Sequence, residues 1–180
     1  MDGRGLLAGG LLLLGGCGER SDEVTRLDGG VSEPGRVLFM KDSRIGIEGG
    51  QGVFTDTRDG RTTSVRFDLP MDVVDPDPIH LSIPLGETEA GIVVMIDDYG
   101  TRQRSDRPDC AGRSESVVRV FSLPLARELA AIPAESCLKK IKGGEPLATW
   151  LDADRFRIET SPKRVFALTG ADGIDELKGS

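Results

Sequence analysis

The residues that could do acid-base or nucleophilic chemistry are few in this chain. Its single histidine, His80, alternates with the apolar positions of a predicted strand, and no Gly-x-Ser-x-Gly nucleophile motif accompanies it. One histidine also excludes a metal site with two histidine ligands from the same chain. Ser136 and Lys139 match the Ser-x-x-Lys acylation motif, but its companions Ser-Asp-Asn and Lys-Thr-Gly are absent. We therefore expect no catalytic residue and no cofactor.

Two groups of carboxylates could bind a cation or share a proton. Asp72, Asp75 and Asp77 lie in MDVVDPDP, where three carboxylates in a tight loop could hold calcium. Their spacing lacks the glycine and the terminal glutamate of an EF-hand loop, and Asp-Pro pairs are common in turns. Asp97 and Asp98 end the most apolar predicted strand, but neighbours on a strand point to opposite faces. We therefore favour a solvated turn and a polar strand end, and we expect no metal site.

An apolar run near the N-terminus ends at a cysteine. Residues 6–14 are apolar apart from two glycines, and they follow a short segment with one arginine. A permanent membrane helix needs about 20 residues, so this run is too short to be one. It has the small-residue end that is typical of a cleaved signal. The sequence Leu14-Gly15-Gly16-Cys17 resembles the lipobox of bacterial lipoproteins.

The lipobox resemblance implies an organisation and a location. Residues 1–16 would be a cleaved signal peptide, 17–35 a lipidated Cys17 with a flexible tether, and 36–180 a single β-rich domain. The membrane would then be a partner through the lipid on Cys17, because two or more acyl chains anchor stably. Gly18 is not the aspartate that retains some such lipoproteins at the inner membrane. The resemblance therefore implies the outer membrane, on the side that faces the periplasm.

Two cysteines remain when Cys17 carries lipid, namely Cys110 and Cys137. Export places them in an oxidising compartment, where an even pair usually forms a disulfide bond. The alternative is two free thiols, one of them catalytic, which would need a histidine partner. We predict the disulfide bond.

The charge balance excludes one class of partner. The chain has 30 acidic residues against 23 lysines and arginines, which gives a net charge of −7. An acidic chain lacks the positive surface that nucleic acids require, so we expect no nucleic acid partner. It would be steered instead towards a basic partner.

Alternation of apolar and polar residues dominates residues 36–180 and predicts a mainly β fold. We expect an antiparallel sandwich or barrel of about eight or nine short strands, with Asp59-Gly60 as a hairpin turn. The run at 91–96 is apolar throughout and should lie centrally, covered on both faces. Pro124 and the spacing of Leu125, Leu129 and Ile132 predict one short helical insert at about 124–142.

The long polar segment 97–116 is the best candidate for contact with a partner. It exceeds the length of an ordinary connection, and such loops are usually functional or disordered. Arginine and tyrosine are enriched at interfaces, so we select Tyr99, Arg102, Arg104 and Arg107 as contact residues. A disulfide bond at Cys110 would restrain this loop.

Three functions are compatible with these features. The first is a lipid-anchored, non-catalytic binding module for an envelope protein or glycan, such as an inhibitor or immunity protein. The second is an envelope hydrolase that uses carboxylates alone, Asp97 or Asp98 with Glu115 or Asp154. The third is a structural component of the envelope. We favour the binding module.

Overall fold

The computed structural model of the chain describes residues 43–58 and 60–178, except for the side chains of residues 76–80. The motif that resembles a lipobox, with Cys17, and the predicted tether lie outside these residues. Within the described part, no helix has the length and apolarity that a membrane crossing requires.

The described residues form three antiparallel sheets, each a meander of consecutive strands. The first sheet contains β1 (Ser43–Glu48), β2 (Gln51–Arg58) and β3 (Arg61–Phe67). The central sheet contains β4 (Val74–Glu87), β5 (Ile92–Thr101), β6 (Ser114–Ser122) and β7 (Arg127–Ser136). The third sheet contains β8 (Ala148–Trp150), β9 (Arg155–Ile158), β10 (Arg164–Thr169) and β11 (Gly173–Leu177). A 3-10 helix spans Pro108–Cys110 between β5 and β6.

The mainly β fold that the sequence predicts is confirmed. Register pairs Arg58 with Arg61 across the predicted hairpin turn, where Gly60 has a φ of +74° that suits glycine. The described residues contain eleven strands rather than eight or nine.

The central sheet is covered on both faces because β5 is apolar on both. Ile92, Val94 and Ile96 belong to the core that the central sheet shares with the third sheet. Val93 and Met95 belong to the core that it shares with the first sheet. The apolar run at 91–96 therefore occupies the central position that the sequence predicts.

The predicted helical insert at 124–142 is wrong. Residues 123–126 form a turn, and the following residues form β7, which pairs antiparallel with β6 and places Ile132 opposite Val118. Pairing satisfies the backbone groups of the apolar β6, whereas an isolated short helix is only marginally stable. Pro133 is tolerated because β7 is an edge strand of its sheet.

Candidate functional site

The predicted disulfide bond between Cys110 and Cys137 is confirmed, with 5.6 Å between the two Cα atoms. It joins the connection between β5 and β6 to the turn after β7. The Arg107 guanidinium adds to this link because it donates hydrogen bonds to the carbonyl oxygens of Cys137 at 3.2 Å and Leu138 at 3.4 Å. The predicted loop 97–116 is shorter in the structure, because β5 continues to Thr101 and β6 begins at Ser114. We call residues 102–113 the stapled loop.

The opposite side of the stapled loop is held by the connection between β3 and β4. The Arg102 guanidinium donates to the carbonyl oxygen of Met71, and the Arg102 backbone N–H donates to the carbonyl oxygen of Val73 at 2.8 Å. Arg104 pairs with Asp106 at 2.8 Å, and its side chain is 46% exposed. Arg104 therefore presents its charge at the surface, while Arg102 and Arg107 also hold the loop.

Tyr99 does not lie on the surface that the sequence predicts. It is fully buried between the first and central sheets, and its hydroxyl donates to Asp97 at 2.9 Å. The even positions of β5 face the third sheet, so the odd positions, Tyr99 among them, face the first. Because alternation along β5 buries Tyr99, this residue cannot be one of the surface contacts that the sequence predicts.

A buried charge network surrounds Tyr99. Arg119, with no exposed side-chain surface, donates to Asp97 at 2.6 Å and to Glu128 at 2.5 Å. Its guanidinium carbon lies 4.0 Å from the ring centroid of Phe67. The sequence held a signal for this network, since Arg119 interrupts the apolar run 117–121.

The Asp97 carboxylate is hydrogen-bonded by side chains on its own face of the central sheet. It accepts hydrogen bonds from Ser82, Tyr99 and Arg119. Burial raises the pKa of Asp97 above its ordinary value, and the charge of Arg119 opposes this rise. Asp98 lies on the other face of β5 and accepts from Ser116 at 3.1 Å. The structure therefore does not bring Asp97 and Asp98 together.

A pocket of about 220 Å³ lies between the β3–β4 connection and the ends of β6 and β7. Apolar side chains form much of its wall: Leu69, Pro70, Val73, Val117, Ala131 and Pro133. Polar residues complete the lining: Asp68, Glu115, Ser116, Glu135, Ser136 and Lys139.

Glu115 is the buried charge of this pocket, with only 1% of its surface exposed. Its Oε1 accepts hydrogen bonds from Thr101 at 3.2 Å and from the backbone N–H groups of Cys137 at 3.1 Å and Leu138 at 3.4 Å. Its Oε2 is buried and has no hydrogen-bond partner within the described part of the chain. Most buried polar atoms are paired, so this unpaired oxygen is an exception among the described residues.

The Ser-x-x-Lys motif and the aspartates that could hold calcium lie in turns and in a strand of the fold. The backbone N–H of Lys139 donates to Ser136 Oγ at 2.9 Å, which caps the turn after β7. The predicted turn holds for Asp72, which lies before β4, but it is wrong for Asp75 and Asp77, which lie within β4. His80 also lies within β4. Among the described residues, the one cluster of metal-ligating types combines Asp109 with the two disulfide-bonded cysteines.

No protein-family model matches this chain, and neither a curated protein nor a solved structure does. Residue roles therefore cannot be transferred to the β domain from a relative. Within the described residues, the pocket and the stapled loop are the features that bear on function.

Proposed function

We propose that the chain is a non-catalytic binding module of the cell envelope, anchored through a lipid on Cys17, whose β domain recognises a partner next to the stapled loop. The observation that carries this proposal is the covalent link between the loop and a segment that lines the pocket. Ser136 and Lys139 line the pocket, and Cys137, which follows Ser136, is bonded to Cys110 of the loop. The pocket and the exposed loop are therefore neighbours in the fold.

The restraint of the loop supports a role in binding. Ordering a free loop against a partner costs conformational entropy, and a covalent link removes much of that cost in advance. The link through Cys110 acts together with the hydrogen bonds of Arg102 and Arg107 to fix the loop. The loop can therefore meet a partner in the conformation that it already holds.

The charge of the surface favours a basic partner. Asp68 and Glu135 are exposed at the pocket, and the chain carries a net charge of −7. Complementary charge raises association rates and suppresses wrong partners. A lipid-anchored inhibitor or immunity protein against a basic envelope-attacking enzyme fits these properties.

The anchor is tested by Cys17→Ser. Because this change removes the sulfur that would carry the diacylglyceryl group, we expect the protein to move from the membrane fraction to the soluble fraction. We also expect the wild-type N-terminal peptide to begin at Cys17 and to carry the mass of its acyl chains. An unprocessed wild-type N-terminus, or a Cys17→Ser chain that stays with the membrane, would contradict the anchor.

The recognition surface is tested by reversing one exposed charge on the stapled loop. Asp106 is 62% exposed and pairs with Arg104, while Glu48 on the first sheet is 63% exposed and pairs with Arg66. These matched carboxylates make Glu48→Lys the control for Asp106→Lys. We expect Asp106→Lys to reduce capture of the partner from envelope extract and Glu48→Lys to leave it unchanged. Equal capture by both variants would show that the stapled loop is not part of the recognition surface.

A further inference from the structure

We propose that the pocket receives an apolar side chain of about leucine size from a basic partner polypeptide. This inference rests on the proposed binding function and specifies how the partner is recognised. It joins three features of the described residues: an open apolar pocket, exposed carboxylates on its border, and a position next to the stapled loop.

The pocket has an apolar wall and opens to the surface. Leu69, Val73 and Val117 are buried and form part of this wall. Ala131, on the edge strand β7, lines the same pocket and is exposed to solvent. Its single methyl group leaves the volume that a longer side chain at this position would fill. Covering such apolar surface with another apolar group removes it from water and is therefore favourable.

The volume of the pocket suits one side chain. It is about 220 Å³, whereas pockets for small molecules usually measure about 300–1,000 Å³. An engineered apolar cavity of about 150 Å³ binds benzene. Because the leucine side chain is smaller than benzene, it fits within this pocket.

The charges on the border of the pocket favour a basic partner. Asp68 and Glu135 are exposed on the lining, and Glu135 makes no ion pair among the described residues. Lys139 is the positive charge on the lining, but the carboxylate of Asp72 lies 4.0 Å from its ammonium nitrogen. The border therefore carries more negative than positive charge, which attracts lysine or arginine residues that flank the inserted side chain.

The β3–β4 connection joins the pocket to the stapled loop. Pro70 and Val73 of this connection line the pocket. Met71 lies between them in the sequence and is 40% exposed, and its carbonyl oxygen accepts a hydrogen bond from the Arg102 guanidinium of the loop. Methionine side chains adapt their shape to apolar partners. A polypeptide that inserts a side chain into the pocket can therefore also contact Met71 and the loop.

Three capped tripeptides test the apolar and the charged part of this inference on the full chain in detergent. The probes are acetyl-Lys-Leu-Lys-amide, acetyl-Lys-Ala-Lys-amide and acetyl-Glu-Leu-Glu-amide. Titration followed by the NMR methyl signals of Leu69, Val73 and Val117 gives their dissociation constants. We expect the Lys-Leu-Lys peptide to bind about tenfold or more tighter than the Lys-Ala-Lys peptide, because leucine buries more apolar surface than alanine. We also expect it to bind more tightly than the Glu-Leu-Glu peptide.

Two pairs of variants locate the binding site. Ala131→Phe fills the pocket, whereas Ala90→Phe adds the same ring at an exposed position of the β4–β5 turn. We expect Ala131→Phe to abolish the preference for leucine over alanine and Ala90→Phe to keep it. Glu135→Gln should reduce the preference for flanking lysine over flanking glutamate and keep the preference for leucine. Glu89→Gln, also exposed in the β4–β5 turn, should change neither preference.

Three results would overturn the inference. Equal binding of the leucine and alanine peptides, or a leucine preference that survives Ala131→Phe, would show that the pocket receives no side chain. Equal binding of the lysine-flanked and glutamate-flanked peptides would contradict a basic partner. Methyl signals of the pocket that shift with the concentration of the chain alone would show that a second copy occupies it. Capture that depends on Asp106 would still stand in these cases, so the proposed function and the pocket inference fail separately.

Discussion

Replacement of Arg119 by methionine should destabilise the fold strongly, because it leaves a buried carboxylate without its cation. Arg119 and Asp97 have no exposed side-chain surface, and the pair is 2.6 Å apart. Breaking such a pair from one side costs about 3–5 kcal/mol. The lost contact with the Phe67 ring adds about 1 kcal/mol. Glu128 is 19% exposed and can be hydrated, so its contribution is smaller.

A second substitution reveals whether the unpaired charge is the cause. Asp97→Asn alone should destabilise the wild-type chain, because it removes one of the two carboxylates that hold Arg119. In the Arg119→Met background the same change removes the unpaired charge, and it should restore at least about 2 kcal/mol. The effect of Asp97→Asn therefore changes sign between the two backgrounds.

The cost of Arg119→Met should also depend on pH. Burial raises the pKa of Asp97, and loss of Arg119 removes the charge that opposes this rise. A carboxyl whose pKa is higher in the folded state binds its proton more tightly in the folded state. The loss of unfolding free energy caused by the ionised carboxylate is therefore present above the folded-state pKa, and it decreases as the pH falls through that pKa. The difference from wild type should shrink between pH 7 and pH ~4.

Urea unfolding followed by the fluorescence of Trp150, the single tryptophan, measures these free energies. Arg164→Met is the control, because its pair with Glu176 is partly exposed and is worth about 1 kcal/mol or less. A loss below about 1 kcal/mol for Arg119→Met, or a loss that does not change with pH, would refute this reasoning.

Two further predictions concern the covalent and steric constraints of the fold. The double change Cys110→Ser and Cys137→Ser opens a loop with a sequence separation of 27, and it should cost about 3.5 kcal/mol in urea unfolding. Wild type under reducing conditions should show the same loss, and an unchanged stability would contradict it. Gly52→Ala should cost about 1–3 kcal/mol, because a Cβ there overlaps the buried ring of Phe67. Gly46→Ala, which meets open space, is the matched control, and equal stabilities of these two variants would contradict the packing account.

Local patterns in the sequence predicted much of the fold. Alternation predicted the mainly β fold, and the apolar run at 91–96 identified the strand that is buried on both faces. The even pair Cys110 and Cys137 predicted the disulfide bond. The first two inferences depend on residues that are close in sequence. The third depends on there being only two cysteines to pair when Cys17 carries lipid.

Features that depend on distant partners could not be predicted in this way. Leu125, Leu129 and Ile132 suit a helix by their spacing, but the edge of β6 makes the strand more favourable. The pocket likewise unites three separate segments: 68–73, 115–117 and 131–139. The pocket therefore exists only once those segments meet in the fold.

The N-terminus of the mature chain tests the central claim most directly, because the proposed envelope role depends on a lipid anchor at Cys17. Mass spectrometry of the wild-type chain from the membrane fraction should find an N-terminal peptide that begins at Cys17 and carries the mass of its acyl chains. An unprocessed N-terminus with an unmodified Cys17 would contradict the account.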